Sequence, residues 1–71
     1  MSADLSIVIP SCNGLHLLRE NLPSVQKAAQ HYHLKSGYKT EIIVVDDGSQ
    51  DETCEALPVE FPDVFLMARR H

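Results

Sequence analysis

Two adjacent carboxylates, Asp46 and Asp47, stand directly behind four apolar residues, Ile42 to Val45, and lead into Gly48 and Ser49. Acids placed side by side at the end of a buried strand repel each other and lose hydration, so they require hydrogen-bond donors or a cation. A ligand that offers N–H or O–H groups meets that need, and so does a metal ion. The bland alternative is a pair of solvated loop residues, or an Asx-type turn in which one carboxylate bonds local amides. Spacing excludes two familiar loops. An EF-hand needs its glycine at the sixth position, and here it comes third. No GxxxxGK[ST] phosphate loop occurs anywhere in the chain.

A second short stretch, Pro10-Ser11-Cys12-Asn13-Gly14, also follows an apolar run, Leu5 to Ile9 being mostly β-branched. Its Asn-Gly pair is a strong local turn signal. Cys12 and Cys54 form no CxxC pair and no metal-finger spacing, and they read as two reduced thiols. A Cys12–Cys54 disulfide is the alternative that the sequence leaves open. His31 and His33, with His16, invite a metal reading, but residues two apart on a helix point to different sides. They read as a solvated helix end. Arg69-Arg70-His71 could meet phosphates, against the simpler reading of a solvated terminus.

The elements that must position these residues follow from periodicity. Leu5 to Pro10 predicts a buried strand. From Leu15 the period changes: Leu15, Leu18, Leu22, Val25 and Ala29 recur every three or four residues and mark one face of a helix. Pro23 removes a backbone donor inside that pattern, which predicts a kink or two short helices joined near Asn21, with an end near Tyr32. Leu34 to Thr40 reads as a polar connection. Glu41 to Val45 predicts a second strand, and its continuous apolar character predicts burial on both faces. Ser49-Gln50-Asp51-Glu52 fits a capping box, so a second helix should start there and run to about Leu57, closed by Pro58 and Pro62. Asp63 to Ala68 predicts a third strand. The order β-α-β-α-β calls for an α/β fold with parallel strands. It is half of a doubly wound domain, with a sheet edge left open to self-association.

Bulk composition bounds the function. Seventy-one residues make at most one small domain, and chains of this size bury only about 60% of their unfolded surface. The net charge of −4, with scattered lysines and arginines, gives no footprint for nucleic acid. The amino-terminal stretch has no basic n-region and a five-residue apolar core, too short for a signal peptide or a membrane span, so a cytoplasmic location is expected.

Taken together, "SIVIPSCNG", a leucine-rich helix containing "LLRENLPSV", and "EIIVVDDGSQDET" resemble the amino-terminal signature of family-2 glycosyltransferases, from about Leu5 to Met67. The resemblance implies a partial Rossmann-like GT-A domain, with residues 1–71 as its amino-terminal, nucleotide-sugar-binding portion. It implies that Pro10, Ser11, Cys12 and Asn13 form one wall of a base pocket. It also implies that the turn Asp46, Asp47, Gly48 and Ser49 presents carboxylates to a uracil N–H, with a UDP-sugar as the expected donor. A charge-assisted hydrogen bond of that kind is about twice as strong as a neutral one. The acids then read the edge of a base and are not the catalytic base.

One departure stands out. The family usually carries tyrosine or another large residue where this chain has Cys12, and cysteine cannot stack on a base. A looser pocket, a different nucleotide, or stacking from elsewhere would each accommodate it. The family's metal-binding Asp-x-Asp motif, which holds Mg²⁺ or Mn²⁺ on the diphosphate, and its general base are implied downstream of the third strand. The 71 residues are therefore expected to hold no metal and to be inactive alone, as part of an inverting enzyme. Two alternatives belong to other classes: a truncated, self-associating α/β domain, and a receiver-like signalling domain, whose acid pair would follow the first strand rather than the second.

Overall fold

The computed structural model describes residues 3–69, so Arg70 and His71 lie outside the described residues. The element order is β1 (Leu5–Ser11), α1 (Leu15–Ser36), β2 (Thr40–Asp47), α2 (Thr53–Glu60) and β3 (Phe65–Arg69). The chain is α/β with three parallel strands, as a partial Rossmann-like GT-A domain requires. The sheet order is β1-β2-β3, with Ile9 registered on Val44 and Val44 on Leu66. Both β1 and β3 therefore have an outer edge without a strand partner among the described residues.

Alternation along the strands decides what is buried. Ile7, Ile9, Ile42, Val44 and Leu66 share one face by register and pack with Leu18, Leu22 and Ala29 of α1 and Leu57 of α2. Both helices thus cover the same face. Burial on both faces of β2 was the expectation, and it does not hold: Ile42 and Val44 are buried, whereas Ile43 and Val45 are only half-buried. On that second face Val8, Phe65 and Met67 are each more than half exposed. A continuous apolar run signals two covered faces only when helices flank both sides, and these two do not.

Helix α1 departs from expectation at two places. It runs unbroken through Pro23, because the buried stripe Leu15, Leu18, Leu22 and Ala29 continues in phase across the proline. Packing along the stripe outweighs one missing backbone bond. The helix also continues past Tyr32 to Ser36 and stops at Gly37. This glycine adopts the left-handed conformation (φ 77°) and donates its N–H to the His33 carbonyl. The last turn, including Leu34, faces solvent, so apolar periodicity carries no trace of it.

Helix α2 is displaced as well. It begins at Thr53 rather than at Ser49 and contains Pro58 inside its last turn. Proline there removes only one donor, and Phe61 N–H still closes the helix on the Leu57 carbonyl at 2.8 Å. Strand β1 extends one residue past Pro10 to Ser11, which an edge strand tolerates.

Candidate functional site

The carboxyl ends of β1 and β2 lie side by side, with Ser11 registered on Asp46. Open parallel sheets bind ligands at this end. Asp46 belongs to the helix-covered face with Ile42 and Val44, and Asp47 belongs to the opposite face with Ile43 and Val45. One residue of register therefore separates the environments of the two acids. Asp46 is 1% exposed and Asp47 is half-buried. The ladder between β1 and β2 ends at the pair of Ser11 and Asp46, so Cys12 lies beyond it, whereas Asp47 remains registered on Arg69 of β3.

Asp46 is engaged on both carboxylate oxygens. Ser49 donates its hydroxyl to Oδ1, and the Cys54 thiol donates to Oδ2 at 3.4 Å. Ser49 is therefore not the helix cap that its local motif suggests. Its Oγ also accepts the Asn13 backbone N–H at 2.8 Å, which joins the two loops. Asn13 returns the contact, its Oδ1 accepting the Gln50 N–H at 2.6 Å. Between these residues the chain turns at Gly48, whose φ of 72° suits glycine, and Gly48 N–H reaches the Arg69 carbonyl at 2.9 Å. The loop after β2 is thereby held to both neighbouring strands.

The capping duty falls instead to Asp51, a residue that sequence reasoning passed over as an unassigned position inside the expected box. Asp51 Oδ1 accepts both the hydroxyl and the backbone N–H of Thr53, the latter at 3.0 Å. Its Oδ2 accepts the Leu15 N–H at 3.2 Å. One carboxylate thus serves the first turns of both helices. The bond from the Thr53 hydroxyl is the main reason that the Asp51 carboxyl lies below its ordinary range, and partial burial opposes it. An aspartate two residues ahead of a helical N–H is a recognisable local signal for this role.

The expected site residues do not line a single cavity. Pro10, Ser11 and Cys12 border a 260 Å³ cleft with Leu17, Asn21 and Val25 of α1. Asp46, Gly48 and Ser49 border a 610 Å³ cleft with Cys54, Ala68 and Arg69, between α2 and the end of β3. Asn13 and Asp47 border neither. A wider groove of 1060 Å³ between α1 and α2 carries Asp51, Glu52, Glu55 and Glu60, a charge pattern that repels phosphates. Across it Arg19 makes a two-pronged contact with Glu60 at 2.8 and 2.6 Å. That contact raises the Arg19 pKa and lowers that of Glu60.

Cys12 and Cys54 are both free thiols. Among the described residues no group of three or more His, Cys, Asp or Glu side chains could hold a metal ion. The divalent ion that the resemblance implies thus finds no fitting ligand set among the described residues. His16 lies beside Glu20, and His33 Nδ1 donates to the Tyr38 carbonyl at 2.7 Å. No helix among the described residues is long and apolar enough to cross a membrane.

Comparison with known proteins gives one match. The family described as Glycosyl transferase family 2 matches residues 6–66, from β1 to the start of β3. No curated protein and no solved structure matches the chain.

Proposed function

The chain belongs to glycosyl transferase family 2, and on that premise we propose that it is the nucleotide-sugar-binding part of an inverting glycosyltransferase. Its reaction is transfer of a sugar from a nucleotide-activated donor, a UDP-sugar in the first instance, to an acceptor hydroxyl. The observation that supports this reading most is the division of labour at the end of β2. Asp46 is buried and bonded by Ser49 and Cys54, whereas Asp47 stands on the opposite face, one residue past the pairing of Asp46 with Ser11. Asp47 supplies the carboxylate that accepts the base N–H, in a charge-assisted bond. Pro10, Ser11 and Cys12 supply the wall, and Gly48 allows the backbone to approach the base closely. Asp46 and Ser49 hold the turn in shape.

Sugar transfer also needs a base for the acceptor hydroxyl and neutralisation of charge on the departing diphosphate. The described residues offer no ligand set for the second duty. By the family resemblance we expect the 71 residues to bind nucleotide without turnover, the divalent Mg²⁺ or Mn²⁺ ion and the base belonging to the complete enzyme. We place that activity in the cytoplasm. A second reading, self-association, draws support from the two open sheet edges and from the exposed Val8, Phe65 and Met67. It describes the behaviour of the isolated chain and does not compete with the first.

The test is a titration of UDP into the 71-residue chain, followed by backbone amide shifts. Saturable shifts at Ser11 to Asn13 and at Asp46 to Ser49 are expected. A well-dispersed spectrum with no shifts at millimolar UDP would refute nucleotide binding by this chain.

A further inference from the structure

Asn13 is the one non-glycine residue with positive φ among the described residues, at 52°. Asparagine tolerates this left-handed conformation better than most residues, but it still needs surrounding contacts to hold it there. Those contacts all come from one place. The Asn13 N–H donates to Ser49 Oγ and its Oδ1 accepts from Gln50 N–H, across 36 and 37 residues of sequence. Because a backbone N–H can only donate, the oxygen of the Asn13 amide must face Gln50. Ser49 in turn bonds Asp46, and Asp46 bonds Cys54, so the chain of contacts runs from the loop after β1 into the first turn of α2.

Resting on the nucleotide-site reading above, we propose that Asn13 is a positioning residue. It latches the β1 loop to the β2–α2 loop, fixing the gap between Cys12 and Asp47, and does not itself contact the nucleotide. The latch requires an acceptor oxygen at Asn13 and a backbone free to adopt positive φ. It makes no use of the side-chain NH₂. Asn13→Asp therefore keeps both bonds of the latch, whereas Asn13→Gly keeps the backbone bond to Ser49 and loses the side-chain bond to Gln50.

The experiment measures two things in the 71-residue chain and in both variants: the exchange rate of the Gln50 amide without ligand, and the affinity for uridine by amide shifts. Uridine is neutral, so the carboxylate introduced in Asn13→Asp meets no phosphate. Loss of one hydrogen bond corresponds to about a three- to tenfold change. In Asn13→Gly the Gln50 amide should exchange faster by that factor and uridine should bind more weakly by a similar one. Asn13→Asp should match the parent within about twofold in both.

An unchanged Gln50 exchange rate in Asn13→Gly would overturn the latch. So would an Asn13→Asp variant that protects Gln50 yet binds uridine as weakly as Asn13→Gly, because the amide would then be touching the base. If the parent shows the expected exchange pattern but no uridine shifts at all, the latch stands and the nucleotide reading fails.

Discussion

Replacing Asp46 and Asp47 separately by alanine should produce two different defects, although the residues are neighbours and chemically identical. Asp46 is 1% exposed and accepts from Ser49 and Cys54. Its removal leaves the part-buried Ser49 hydroxyl without its acceptor, a penalty of about 1–3 kcal/mol. A domain of 71 residues holds a total stability of about 4–11 kcal/mol at the usual value per residue. Asp46→Ala therefore consumes a substantial fraction of it, which corresponds to a fall in melting temperature of roughly 5–20 °C. Asp47 lies half-buried on the face that the helices leave open. Its loss removes the charge-assisted bond assigned to the base, about 1.5–3 kcal/mol, or roughly a 10- to 100-fold loss of UDP affinity. Urea unfolding and UDP titration on the parent and both variants separate the two effects. An Asp46→Ala chain with an unchanged urea midpoint would refute the structural role. An Asp47→Ala chain with parental UDP affinity would refute the assignment of the base contact.

Two further outcomes follow from local structure. Pro23 is exposed, and its ring is the single interruption in the first three turns of α1. Pro23→Ala should stabilise the domain by about 1–3 kcal/mol in urea unfolding, with no effect on the amides around Asp47. Acid should weaken the fold through Asp51 and Glu60, whose carboxyls lie below their ordinary values of 3.8 and 4.5. A depressed carboxyl contributes stability that is complete above its ordinary pKa and is lost as the pH falls through the lower, folded value. Unfolding measured between about pH 5 and pH 2 should show this slope, and Asp51→Asn should flatten it.

The β-α-β-α-β order, the parallel pairing and the meeting of the Pro10–Asn13 loop with the Asp46–Ser49 loop were legible because each rests on local signals. Apolar runs gave the strands, a leucine repeat gave α1, and Asn-Gly and Asp-Asp-Gly marked the turns. What was not legible depends on neighbours distant in sequence. Pro23 looks like a break until the stripe from Leu18 to Ala29 is seen packing on Ile42 and Val44. Ile42 to Val45 looks buried on both sides until both helices are found on one face. The last turn of α1 carries no buried residue, and only the conformation of Gly37 marks its end.

Ser49 carries the lesson furthest. Read alone, Ser49-Gln50-Asp51-Glu52 is a helix start, and each residue type in it is correct for that purpose. In the fold Ser49 lies between an acceptor at the end of the preceding strand, Asp46, and a donor 36 residues away, Asn13. Both contacts satisfy groups that the sheet places at its carboxyl end, and a cap on α2 would satisfy neither. Asp51 supplies that cap while also meeting the first N–H of α1. The acidic turn therefore uses its polar residues to tie loops and helices together before any ligand arrives. Of its two adjacent aspartates, Asp46 is taken up by those ties, and Asp47 is the one to which we assign the base.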